Sequence, residues 1–160
     1  KMSNLPFTIL FIDGNHDNHN FWYKQEVISK FGGKVHIHPD ARNIFHLMRG
    51  EYYTIENHTF FTMGGANSID KWNRKENYTW WKDEIPRKSE MIHGFNNLQA
   101  HGNQVDFILT HCMPSKLVEP ILFQHHKKND ATGYLDFIYD NNSFTYWFCG
   151  HYHENINAKN

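Results

Sequence analysis

The chain has 160 residues, 39% hydrophobic and 16% aromatic, which excludes a disordered segment and predicts a single packed domain over 1–160. Sixteen Lys and Arg against 17 Asp and Glu leave a net charge of -1, so charge points to neither nucleic acid nor an anionic membrane, although nucleic acid is not excluded as a substrate. No apolar run is long enough to span a bilayer, and the two cysteines lie outside any CxxC pair, so the expected setting is cytoplasmic, without a disulfide framework.

Residues 6–12 form an apolar, β-rich run broken by Asp13-Gly14-Asn15, which predicts a buried strand entering a loop. In 20–31, Phe21, Val27, Ile28 and Phe31 recur at roughly helical spacing, with Gly32-Gly33 as a stop, so a helix is expected there. Short β-prone stretches at 34–38, 44–48, 52–56 and 59–63 follow, with Arg49-Gly50 and Asn57-His58 as turns of a small antiparallel portion. From Gly64 to Glu84, polar residues and Trp72, Trp80 and Trp81 lack periodicity and read as a long loop near a functional face. Beyond Pro86, residues Met91, Ile92, Phe95 and Leu98 share a helical face that ends before Gly102. A buried strand over 105–109 stops at Thr110-His111. Helical regions over 117–126 and 132–139 lead to a buried strand over 144–148 ending at Cys149-Gly150-His151.

Thirteen histidines are a surplus for this length, and their placement is informative. Three expected strands run directly into loops bearing Asn15-His16-Asp17, His111 and His151-Tyr152-His153. In an open α/β sheet such loops converge on one crevice. Neutral imidazoles with an amide oxygen suit borderline divalent ions such as Mn, Fe, Zn or Ni better than Mg or Ca.

These blocks resemble the calcineurin-like metallophosphoesterases, whose later signatures are GNH followed by Asp or Glu, a histidine after a buried strand, and GHxH. All occur in order, as Gly14-Asn15-His16-Asp17, His111 and Gly150-His151-Tyr152-His153. The segment Gly64-Gly65-Ala66-Asn67-Ser68-Ile69-Asp70-Lys71 with Trp80-Trp81 looks like the small bacterial and phage-type members. The resemblance implies a four-layer αββα sandwich, two divalent ions and hydrolysis of phosphomonoesters or phosphodiesters. It implies that Asn15, His111 and His151 bind one ion and His153 the other. It also implies that His16 serves the phosphate or the leaving oxygen, with Asp17 orienting its ring.

The family's earlier blocks, Asp-x-His and Gly-Asp-x-x-Asp, do not precede Gly14, and Asp17-Asn18-His19 lies within the loop and is no substitute. The expectation is therefore a partial copy of the domain, short of N-terminal strands and of closing C-terminal ones. The dinuclear centre would belong to a longer parent, and this segment would hold one ion or none. The alternatives are a binding or scaffolding module with a vestigial or single-metal site, and a structural zinc at His111, His151 and His153. Arg74 is a candidate phosphate clasp, set against an ordinary surface ion pair. His19 and His58 are expected at the surface, Cys112 and Cys149 in packing roles, and His36, His38, His46, His93, His101, His125 and His126 are assigned no role.

Overall fold

A computed structural model describes residues 5–123 and 128–158. In chain order the strands are β1 (Ile9–Phe11), β2 (Val27–Lys30), β3 (Gly33–His38), β4 (Ala41–Leu47), β5 (Tyr52–Ile55), β6 (His58–Met63), β7 (Gln104–Thr110) and β8 (Ser143–Cys149). The helices are α1 (His19–Trp22), α2 (Lys88–Ala100), α3 (Ser115–Leu122) and α4 (Asp130–Asn141). One sheet has the order β1-β4-β3-β2 and the other β5-β6-β7-β8. The β1–β4, β6–β7 and β7–β8 pairs are parallel, and the remaining pairs antiparallel.

The period of two along each strand divides its side chains between two layers. Val35, Ile37, Phe45 and Leu47 of the first sheet meet Tyr53, Phe60 and Leu109 of the second in one apolar cluster, which is the seam between the sheets. Phe61, Met63 and Ile108 face the opposite way and, joined by Val105 at the start of β7, pack against Leu98 of α2 and Leu135 and Ile138 of α4. On the outer face of the first sheet, α1 sets Trp22 against Phe11 and His46, with ring centroids 4.9 and 5.5 Å away. The architecture is the expected α/β sandwich of two sheets between helical layers, the layer beside the first sheet being a single turn of helix.

Several local expectations are corrected. The helix expected over 20–31 is confined to α1, and Val27–Lys30 instead pairs antiparallel with β3. The β-branched Val27 and Ile28 satisfy either period over so short a run. Phe31 and Gly32, with φ of 58° and 88°, form the hairpin turn there. The second hairpin turns on Glu56-Asn57, both with positive φ, one residue earlier than expected, as a two-residue connection requires. In α2, Leu98 and Gly94 are buried while Ile92 is 61% exposed. Neither β1 nor β8 is a buried strand. β1 is half-buried and β8 largely exposed, and each stands at the edge of its sheet. The helix expected over 117–126 is observed as Ser115–Leu122, and the tail of that expectation, with His125 and His126, lies outside the described residues.

Candidate metal centre

Parallel pairing of β6, β7 and β8 sets Met63 beside Thr110 and Thr110 beside Cys149, so the loops leaving all three strands start at one level. The Gly150 N–H donates to the His111 carbonyl at 3.0 Å, locking the last two loops together. From the other sheet, the loop after β1 is tied in by the Gly65 N–H, which donates to the Asp13 carbonyl at 2.8 Å. Residues nearly a hundred positions apart meet as a result. Nε2 of His111 donates to Oδ1 of Asn15 at 2.9 Å, and the rings of His111 and His151 are 5.1 Å apart at their centroids. His153 is close enough to act electrostatically on His111. His151 and His153 both have positive φ, 67° and 57°, a strained conformation that histidine adopts more readily than most residues.

Asn15 is 4% exposed, whereas His16 stands in solvent at the rim. Nε2 of His16 lies 3.4 Å from the Asn15 amide nitrogen and 3.5 Å from Nη2 of Arg74. Arg74 is itself held by Asp70 through bonds of 2.8 and 2.6 Å. Asp17 accepts the Gly14 N–H at 2.6 Å, a contact that closes the turn of its own loop. Gly14 is required by proximity, because a Cβ there would lie 2.9 Å from the His111 ring. Burial lowers the pKa of His111, outweighing the opposing charges of Asp13 and Asp17, which favours the neutral ring.

Little in the residue pattern announces the polar layer beneath these loops. Asp13, 1% exposed, accepts two bonds from Arg49, at 3.0 Å from Nε and 2.5 Å from Nη2, and one from Nε2 of His46 at 2.9 Å. Burial alone would raise the Asp13 pKa, but the Arg49 charge and the His46 contact hold it well below the usual carboxylate range. With Nε2 of His46 donating to Asp13, a neutral His46 accepts at Nδ1 from Nδ1 of His36, 3.0 Å away. His19, expected at the surface, is 1% exposed and lies 3.7 Å from Asp13. His58 does lie at the surface, beside Asp106. Cys112 is buried in the helix-side core as a packing residue, and Cys149 is exposed. Of the three tryptophans, Trp81 is buried and Trp72 is 83% exposed. Ser68 and Glu84 are also buried, and Ser68 joins Glu84 to Asn15. A charged residue ending an apolar run, as Asp13 does, was the one available signal for this layer.

Among the described residues, no group of three or more His, Cys, Asp or Glu converges as a cation site. An amide oxygen falls outside that donor set; Asn15 and His111 are donor types that suit a borderline divalent ion, and in this structure their facing atoms share a hydrogen bond of 2.9 Å. A calcineurin-like phosphoesterase family model matches residues 1–155. No curated protein and no solved structure gives a significant match.

Proposed function

The chain belongs to the calcineurin-like phosphoesterase family, and on that premise we propose that it carries the later half of a metal-dependent phosphoesterase site acting on phosphomonoesters or phosphodiesters. The observation that carries this reading is the 2.9 Å approach of Asn15 Oδ1 and His111 Nε2 at the mouth of the parallel strands, with the His151 ring alongside. Asn15, His111 and His151 would hold one divalent ion and His153 would contribute to a second, from the Mn, Fe, Zn or Ni group. A bound ion neutralises phosphate oxygens and lowers the pKa of the attacking water.

The chain's own groups supply the rest. His16, exposed and within reach of the same loop, would protonate the leaving oxygen or donate to the phosphate. Asp17, by closing the turn on Gly14, holds the backbone that carries His16 and would restrict its ring. Arg74, fixed by Asp70 with one nitrogen 3.5 Å from His16, is placed to clasp a phosphate oxygen. Manganese-dependent hydrolysis of an aryl phosphodiester and an aryl monoester tests the reading. His16→Ala is expected to lower the rate at least a hundredfold; equal rates for both proteins would remove the enzyme reading.

A second reading, a binding module with a single or vestigial ion site, is favoured by one specific observation. The buried carboxylate nearest the loops, Asp13, is engaged by Arg49 and His46 and is not free to bridge two ions. Metal binding without hydrolysis would support it.

A further inference from the structure

We propose that Glu84, acting through Ser68, is a positioning residue that fixes which way the Asn15 amide faces. This rests on the reading of Asn15 as a metal ligand. A primary amide has two nearly isosteric orientations, and only one turns its oxygen toward His111 and an ion. The side chains that choose between them are buried: Asn15 is 4%, Ser68 2% and Glu84 0% exposed. The Asn15 amide nitrogen donates to Ser68 Oγ at 2.9 Å, and Ser68 Oγ donates to Glu84 Oε2 at 2.5 Å. The Ser68 backbone N–H donates to Glu84 Oε1 at 3.0 Å, so both carboxylate oxygens are occupied as acceptors by one residue.

The direction of the chain follows from donor counting. A serine hydroxyl has one hydrogen, and with that hydrogen committed to the carboxylate, its oxygen toward Asn15 can only accept. Asn15 must then present its NH2 group to Ser68 and its oxygen to His111. If Ser68 donated to Asn15 instead, the amide would turn its NH2 group against the His111 N–H, and no acceptor would face an ion. Glu84 thus sets the polarity of a three-link chain ending at the ligand atom, although it lies 69 residues from Asn15 and outside the recognisable motif. Its place is set by the short 3-10 turn Lys82–Glu84 behind the buried Trp81, and its carbonyl accepts from Arg49 Nη2 at 3.3 Å.

Glu84→Gln separates polarity from packing. The glutamine keeps the shape and can still accept the Ser68 N–H, but its amide nitrogen would donate to Ser68 Oγ and reverse the chain. Calorimetric titration with Co2+, together with the cobalt visible spectrum, reads the effect without relying on turnover. Expected is about a ten- to hundredfold loss of affinity with a metal-free melting temperature close to that of the wild type. Ser68→Ala, which releases the amide, should lose affinity to a similar degree and serves if Glu84→Gln fails to fold. Unchanged affinity in the folded variants, with affinity lost in Asn15→Ala, overturns the positioning role alone. Unchanged affinity in Asn15→Ala, or no Co2+ binding by the wild type, overturns the ligand reading and the positioning role with it.

Discussion

Gly14 lies so close under His111 that a single added carbon reaches the ring, at 2.9 Å from Cε1. That edge of the imidazole adjoins the nitrogen facing Asn15, so Gly14→Ala should displace the donor without disturbing the core. The expected result is about a tenfold or larger weakening of Co2+ or Mn2+ binding with an unchanged circular dichroism spectrum; full affinity would show that the loop yields instead. A second prediction belongs to His36, which is 3% exposed and lines a cavity of about 270 Å³ with His46, Arg49, Glu51 and Glu90. Burial, with the neighbouring His46, pushes its pKa down to about 4 from 6.5. Below pH 6.5 the unfolded chain therefore takes up a proton that the native ring refuses. Its contribution to stability is complete above that pH and is lost as the pH falls toward 4. The loss amounts to as much as roughly 3 kcal/mol. His36→Gln has no such titration, so urea unfolding at pH 7, 5.5 and 4.5 should show the wild type losing its margin faster than the variant. Parallel curves would place the acid sensitivity elsewhere.

At the scale of elements, strand ends were more legible than strand environments. The apolar runs before Asn15, His111 and His151 announced β1, β7 and β8 because a short β-prone run stopped by a turn signal is a local feature. That β8 is exposed could not be read from Phe144 to Phe148, since burial depends on what lies opposite, which the segment itself does not contain. The same limit explains 27–30, where the choice between helix and strand rests on a partner, β3, that the periodicity of the segment does not contain. Tyr146 and Phe148 are 57% and 54% exposed and form an aromatic face with Phe107, at centroid distances of 5.9 and 6.2 Å. Replacing both by Thr should leave unfolding free energy within about 1 kcal/mol while reducing binding of a hydrophobic dye and self-association. A large loss of stability would show that the face is covered in solution. Of the site, the ligand candidates were visible as motif residues. The roles of Asp13, Arg49, Ser68 and Glu84 were not, because each acts through partners brought near by the fold, even where, as with Ser68, the residue lies in a recognisable segment.

Considered as a whole, the molecule assembles its candidate centre from both sheets: Asn15 follows β1 of the first, while His111 and His151 follow β7 and β8 of the second. Metal at a hundred times its dissociation constant should add about 2.7 kcal/mol of stability, seen as a rise in melting temperature of about 5–10 °C that a chelator reverses. No shift with any of Mn, Fe, Zn or Ni would argue against a site in this chain. The seam built from Val35, Ile37, Phe45, Leu47 and Tyr53 also acquires a part in chemistry that none of those residues performs. An ion gripped from both sides would rivet the two slabs beyond their greasy seam and its few hydrogen bonds, so slippage along Phe45 or Leu47 would prise the donors apart before either sheet melted, and loss of cation affinity would be an early symptom of a loosening interior.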